Sequence, residues 1–182
     1  MSEDIFDIVD GLDNVVASAP RSEVHARGLR HRAAHVLMFC GSGAGRKILL
    51  QKRSASKDSY PLAYTTSCSG HVDSGEDYDA AAVREMREET GLKVDISRLK
   101  KIGKISACPE TGNEFTFVYE MECEGNEKFS PPPDEVESLE WLGVAEFEAL
   151  ARKEPQKFTP SFLRVYDFFL STKNARGGVI AR

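Results

Sequence analysis

Three glutamates, Glu85, Glu88 and Glu89, fall within Ala80 to Thr90, a run without glycine or proline that is rich in strong helix formers. At about 100° per residue, Glu88 and Glu89 lie about −60° and +40° from Glu85, so the three carboxylates share one helix face. Ala80, Val83, Met86 and Thr90 take the opposite face and are expected to pack on a core. Gly91 follows as the expected C-cap.

Such a face is uncomfortable on its own. Carboxylates three and four residues apart repel, and those in the last helical turn also oppose the helix dipole. A divalent cation would convert that repulsion into affinity, and oxygen-only ligands from a rigid element suit Mg²⁺ or Mn²⁺, which also take oxygens from a substrate phosphate. A solvated acidic face is the bland alternative. The loop before the helix tips the balance toward the metal.

That loop starts at Gly70, and the pattern from there is Gly70, five residues, Glu76, seven residues, then Arg84-Glu85-Met86-Arg87-Glu88-Glu89-Thr90-Gly91-Leu92. It resembles the Nudix box. The resemblance implies a loop, helix, loop element in which Glu85, Glu88 and Glu89 hold Mg²⁺, the Gly70 carbonyl adds a ligand, and Arg84 pairs with Glu76 to brace the loop. A guanidinium can fork onto a carboxylate, so the bracing role is physically sound. The resemblance also implies an α/β/α sandwich built on a mixed sheet.

A second resemblance covers roughly Glu23 to Leu92. Glu23-Val-His25, Gly28-Leu-Arg-His31-Arg, Leu49-Leu-Gln-Lys-Arg53-Ser, Lys57-Asp and Ser69-Gly-His71 are similar to the Nudix subgroup related to isopentenyl-diphosphate isomerase. It implies a second metal site at His25, His31 and His71 with an acid near Glu114, and diphosphate contacts from Arg53 and Lys57. Imidazoles favour Mn²⁺ or Zn²⁺ there over Mg²⁺. Two departures argue against isomerisation. Ser69 stands where the isomerases carry their catalytic cysteine, with Cys68 one position earlier and so on the other face of a strand, and every acidic position of the box is intact, whereas the isomerase box is degenerate.

The remaining polar positions have bland readings beside these. Arg53 to Asp58 is either a solvated loop or a cationic wall for a diphosphate. Gly41 to Gly45 lacks the lysine and hydroxyl residue of a phosphate-binding loop and reads as a hairpin loop. His35 is read as structural, and Glu135 and Glu137 are alternative late acids to Glu114.

Around these residues the pattern predicts an N-terminal strand or arm over 1–30, with a hairpin between Asp4 and Val16 and a helical turn ended by Gly28. Strands are expected from His31 to Cys40 and Lys47 to Lys52, and two more between Val94 and Ser106. Phe115 to Cys123 alternates cleanly as a strand, and Glu137 to Leu142 reads as another. Helices are expected at Val144 to Lys153 and Pro160 to Lys173, with a flexible tail over 175–182. The fold class is therefore α/β (α+β), a single domain over 1–182 with the box at 70–92.

The chain has 182 residues, 41% of them hydrophobic and 29% charged, enough for one full core. A net charge of −5 without a basic stripe argues against nucleic-acid binding. Cys40, Cys68, Cys108 and Cys123 have no metal-type spacing and read as reduced thiols. With no leader-like N-terminus and no apolar run long enough to span a bilayer, a cytoplasmic protein without membrane partners is expected. Strand edges and the N-terminal arm offer a surface for a homodimer.

The expected activity is metal-dependent attack of water on a small-molecule diphosphate substrate, a nucleoside diphosphate linked to another moiety. One box glutamate, or Glu114, would take the proton. An isomerase-like enzyme and a non-catalytic nucleotide sensor are the alternatives.

Overall fold

A computed structural model describes residues 3–177. Its hub is a pair of parallel strands, β3 (His31–Cys40) and β8 (Glu114–Cys123), in register over ten residues from His31 beside Glu114 to Cys40 beside Cys123. β3 is buried on both faces, which explains its nearly continuous apolar sequence, whereas β8 alternates and buries Glu120 through ion pairs with Arg46 and Lys173. β7 (Lys100–Ile105) runs antiparallel outside β8. On the other flank, β3 pairs with two strands in turn. Its first half takes β6 (Cys68–His71), and its last two residues take β4 (Lys47–Arg53), which continues to β5 (Tyr64–Thr65) and β9 (Val136–Gly143).

Helices cover both faces of this mixed sheet, giving the expected three layers. On one side α3 (Val144–Lys153) and α4 (Pro160–Gly177) set Phe147, Phe162, Val165, Tyr166 and Phe169 against Leu37, Phe39, Ile48, Leu50 and Val118. On the other, α2 (Tyr78–Thr90) sets Ala81, Ala82 and Met86 against Ala34, Val36, Met38, Leu49, Cys68 and Tyr119. Each fully buried Val, Leu, Ile, Phe or Met side chain among these is worth about 1.5–3 kcal/mol of hydrophobic transfer, so the two cores fix the sheet between the helices. A hairpin of β1 (Ile5–Val9) and β2 (Val15–Pro20), followed by α1 (Arg21–Arg27), packs Phe6, Ala19 and Val24 into a third, smaller cluster.

Most elements fall where their patterns put them; β5 and β6 are strands that no pattern marked, β6 taking in the start of the expected box loop, and there are three further differences. The buried stripe of α2 is Ala81, Ala82, Met86 and Thr90, while Ala80 is exposed; the helix is turned so that Glu85 and Glu89 face inward with that stripe. Val94 does not start a strand, because the Asp95 carboxylate accepts the Ser97 N–H at 2.9 Å and winds Ile96–Arg98 into a 3₁₀ turn. Residues 175–177 close α4 instead of opening a tail; the rest of the expected tail, 178–182, lies outside the described residues. Among the described residues no helix is long and apolar enough to cross a membrane.

Candidate active site

β6 positions everything that follows. It pairs with β3 along one edge, and its other edge is completed by side chains of α2 rather than by a strand. Glu89 Oε2 accepts the Ser69 N–H at 2.8 Å, and Arg84 Nη2 donates to the His71 carbonyl at 2.9 Å. Backbone groups that a neighbouring strand would satisfy are thus satisfied by the helix, which locks its register on the sheet. Alternation along β6 points Cys68 and Gly70 toward α2, and Ser69 and His71 to the opposite face.

Gly70 is where the helix comes closest. A Cβ there would lie 2.0 Å from the Glu85 carboxyl carbon, so only glycine lets that carboxylate lie against the strand. Arg84 does not spend itself on one partner. Its Nε and Nη2 fork onto Glu76 at 3.1 and 2.9 Å, and Nη1 reaches Glu85 at 2.7 Å and Glu88 at 3.0 Å. The box loop is further tied to the hairpin, since Asp7 accepts from the Ser74 hydroxyl and the Gly75 N–H at 2.7 and 3.2 Å. At the helix ends, Asp77 caps the Ala80 N–H at 2.8 Å and Gly91 takes the left-handed conformation at φ 78°.

The three box glutamates share a face but not a depth. Glu85 is 13% exposed and Glu88 56%, so Glu88 stands at the rim. Burial, and then the Glu89 charge, raises the Glu85 carboxyl above its ordinary range; burial likewise raises Glu89, against the opposing Ser69 N–H. Two inward carboxylates that resist ionising together are a donor set that fits a hard divalent cation.

A second cluster assembles on the other face. His25 from α1, His31 from β3 and His71 from β6 each present a ring nitrogen, all within 4.8 Å of one another. Glu114, set beside His31 by the parallel register, approaches His71 Nε2 at 3.1 Å and His31 Nε2 at 3.5 Å. The tautomers follow from the partners. Arg21 Nη1, which can only donate, meets His71 Nδ1 at 3.3 Å, so His71 Nε2–H donates to Glu114. His31 Nδ1 donates to the Leu29 carbonyl at 2.9 Å, which leaves a buried Nε2 without a hydrogen-bond partner facing a carboxylate oxygen. Two acceptors facing each other in a buried pocket suit a cation between them. Burial, with the nearby His71 and His31, lowers His25 to about 4, and burial also lowers His71. At Glu114 burial opposes ionisation, but the neighbouring His31 and His71 outweigh it and hold the carboxyl far below its ordinary range. Phe6 roofs the cluster, its ring centroid 4.6 Å from that of His71 and 5.8 Å from that of His31.

Both clusters open into one cavity of about 1130 Å³, whose walls also carry Arg21, Arg53 and Lys57. Arg53 is tied back through Nε to the Ser59 carbonyl at 3.1 Å, and Lys57 is ion-paired with Glu135. Glu135 therefore lies in the cavity wall; Glu137, on β9, does not line it. His35 is buried against Thr66, 3.0 Å away, and also lines this cavity, and Cys68 is fully buried in the α2 core with its thiol pushed up by burial. Arg21 is the cation that sequence reading missed. Its only signal is its position four residues before His25, one helical turn away.

Comparison with known proteins identifies the family and the fold. The family model described as NUDIX domain matches residues 29–162. An isopentenyl-diphosphate Delta-isomerase of Serratia proteamaculans is 31% identical over 165 residues, spanning 90% of this chain and 89% of that protein. An uncharacterized Nudix hydrolase of Streptomyces coelicolor is 34% identical over 178 residues, spanning 97% and 93%. Among solved structures, DR0079 from Deinococcus radiodurans superposes with a TM-score of 0.68 at 28% identity, covering 82% of this chain and 90% of its own. The NUDIX domain of Shewanella oneidensis NrtR shares the fold at a TM-score of 0.60 and 13% identity, covering 88% and 99%. Over most of its length, and with the box helix seated against Gly70, this chain belongs to the Nudix family.

Proposed function

We propose that the protein is a divalent-metal-dependent hydrolase that cleaves the diphosphate linkage of a nucleoside diphosphate joined to another moiety. The observation that carries this reading is the pair of inward carboxylates, Glu85 and Glu89, held at Gly70 and Ser69 at the edge of a cavity of about 1130 Å³. Glu85, Glu88 and Glu89, with the Gly70 carbonyl, would hold Mg²⁺ or Mn²⁺. Bound there, such an ion supplies neutralisation of the diphosphate charge and a lowered pKa for a coordinated water.

The chain's own residues do the rest. Arg53 and Lys57 bind the phosphates, with Arg21 as a third cation on the same wall. Arg84 keeps Glu85 and Glu88 in place through its bond to Glu76 and the His71 carbonyl. A box glutamate, or Glu114, accepts the proton of the attacking water. The histidines with Glu114 form a second candidate metal site, and their soft nitrogen donors fit Mn²⁺ or Zn²⁺.

That second cluster also favours another reading, isomerisation of isopentenyl diphosphate, because the resemblance that groups these histidines is to the isomerase subgroup and a relative of that name is 31% identical. Against it stand Ser69 in the cysteine position and Cys68 sealed in the opposite core. A Mg²⁺- and Mn²⁺-dependent screen over nucleoside triphosphates, nucleotide sugars, dinucleotides and isopentenyl diphosphate separates the readings. Cleavage lowered by about 10²–10⁴-fold in Glu89→Gln, with unfolding temperature preserved, is the expected result. Isomerised product, or binding without cleavage, would move the assignment to the isomerase or sensor reading.

A further inference from the structure

The loop between β4 and β5 carries two non-glycine residues in the left-handed region, Tyr60 at φ 50° and Leu62 at φ 60°. A bulky residue there is a backbone outlier that a fold keeps only when its surroundings impose it, and such outliers gather at ligand sites. Here the surroundings do impose it. Arg53 N–H donates to the Ala63 carbonyl at 3.0 Å, Leu62 N–H to the Arg53 carbonyl at 3.2 Å, and Ala63 N–H to the Tyr60 carbonyl at 3.2 Å. Arg53 Nε holds the Ser59 carbonyl, one residue before Tyr60.

This scaffold does not serve to bury the ring. Tyr60 is 55% exposed, lies in the wall of the site cavity, and has no ring or hydrogen-bond partner for its side chain among the described residues. Its Cα sits three residues from Lys57, within about 10 Å even for an extended chain. An aromatic face is thus held open in the same cavity wall as Arg53 and Lys57, the two cations proposed to bind the phosphates.

We infer that Tyr60 is a nucleobase platform, its ring stacking on the base of a nucleoside diphosphate whose phosphates lie at Arg53 and Lys57. The inference rests on the nucleotide part of the proposed function, not on hydrolysis. A stacked base is worth enough to govern substrate choice and tolerates any base, because each presents a π-face. Tyr60 accordingly sets preference for nucleotides over diphosphates of small aliphatic groups, and acts on binding more than on turnover.

The test is calorimetric titration in Mg²⁺ with α,β-methylene-ADP and with methylenediphosphonate, the same charge without a base. Tyr60→Asn removes the ring with a residue that tolerates the left-handed backbone, and Tyr60→Phe keeps the ring. The expected result is an α,β-methylene-ADP Kd raised about ten- to a hundredfold in Tyr60→Asn and restored in Tyr60→Phe, with the methylenediphosphonate Kd within twofold throughout. Unchanged nucleotide affinity, an equal loss for both ligands, or wild type without affinity for α,β-methylene-ADP would overturn it. Ring-dependent binding in a protein that cleaves nothing would support the inference while the hydrolase reading fails.

Discussion

The two faces of β6 hold opposite solutions to one problem, the placement of candidate cation ligands in a half-buried cleft. On the α2 face, Glu85 and Glu89 carry like charges inward, and Arg84 offsets part of that charge from the side. On the other face, three imidazoles surround a single carboxylate, Glu114, so like carboxylate charges are not crowded together. The first arrangement is strained without a cation, whereas the second is largely satisfied, apart from His31 Nε2. Hence the carboxylate face should respond to hard ions carried in with a phosphate, and the histidine face should retain a softer ion.

The sharpest way to break the carboxylate face is Gly70→Ala. The new methyl would overlap the Glu85 carboxyl, which sits at the end of a flexible side chain and can swing away, so the fold should survive. Displacing that group by about an ångström should lower metal-dependent turnover on the order of a hundredfold. Steady-state kinetics beside a thermal melt tests this; turnover near wild type would mean that Glu85 is not held where the reaction needs it.

Breaking the histidine face should be felt in stability. A cation bound only by the folded state, at a hundredfold excess over its Kd, adds about 2.7 kcal/mol, or several degrees of unfolding temperature in a chain of this size. Protein purified without chelator should carry Mn²⁺ or Zn²⁺ and lose those degrees on chelation, whereas His71→Ala should already have lost them. Elemental analysis with differential scanning measures both, and metal-free wild-type protein with a chelator-insensitive melt would count against the site.

How far each face can be read from sequence follows from how it is built. Gly70, Glu76, Arg84, Glu85, Glu88 and Glu89 lie within twenty consecutive positions on one loop and helix, so helical periodicity alone groups the carboxylates. It does not tell how the helix rolls on the sheet. That roll exposes Ala80, turns Glu85 and Glu89 inward and leaves Glu88 at the rim, and it is set by the edge of β6. His25, His31, His71 and Glu114 come from four elements, and only the β3–β8 and β3–β6 registers bring them together. Without the family resemblance no spacing would have grouped them. Tyr60 was equally hidden, since Ser-Tyr-Pro-Leu names no backbone conformation. The strands themselves are legible because β3 is apolar enough to be buried on both faces and β8 alternates apolar with polar residues.

The two faces should also answer pH in opposite senses. His25 is lowered to about 4 by burial, then by His71 and His31, so the unfolded chain takes up its proton first. That contribution to stability is present above about pH 6.5 and is lost as pH falls toward 4. Glu85 and Glu89 are raised by burial, so their contribution is present below the unfolded carboxyl range and is lost as pH rises through their folded values. Metal-free protein should therefore lose stability toward both limbs, and Mg²⁺ should relieve the alkaline one. Unfolding free energies from pH 4 to 9, with and without Mg²⁺, test the pairing; an alkaline limb unaffected in Glu89→Gln would remove the carboxylate face as its source.

The smallest effect belongs to the cationic wall that both faces share. Lys57 is ion-paired with Glu135, the acid that an incoming phosphate would have to displace under the proposed function to reach the ammonium group. Both partners are partly exposed, 23% and 46%, so the pair is worth no more than about 1 kcal/mol. Glu135→Gln should release Lys57 and lower KM by about two- to fivefold with kcat preserved, and the gain should shrink at high salt as screening weakens the pair in wild type as well. A fall in kcat would instead place Glu135 among the groups that handle the attacking water, and the wall would then belong to the carboxylate face rather than serve both.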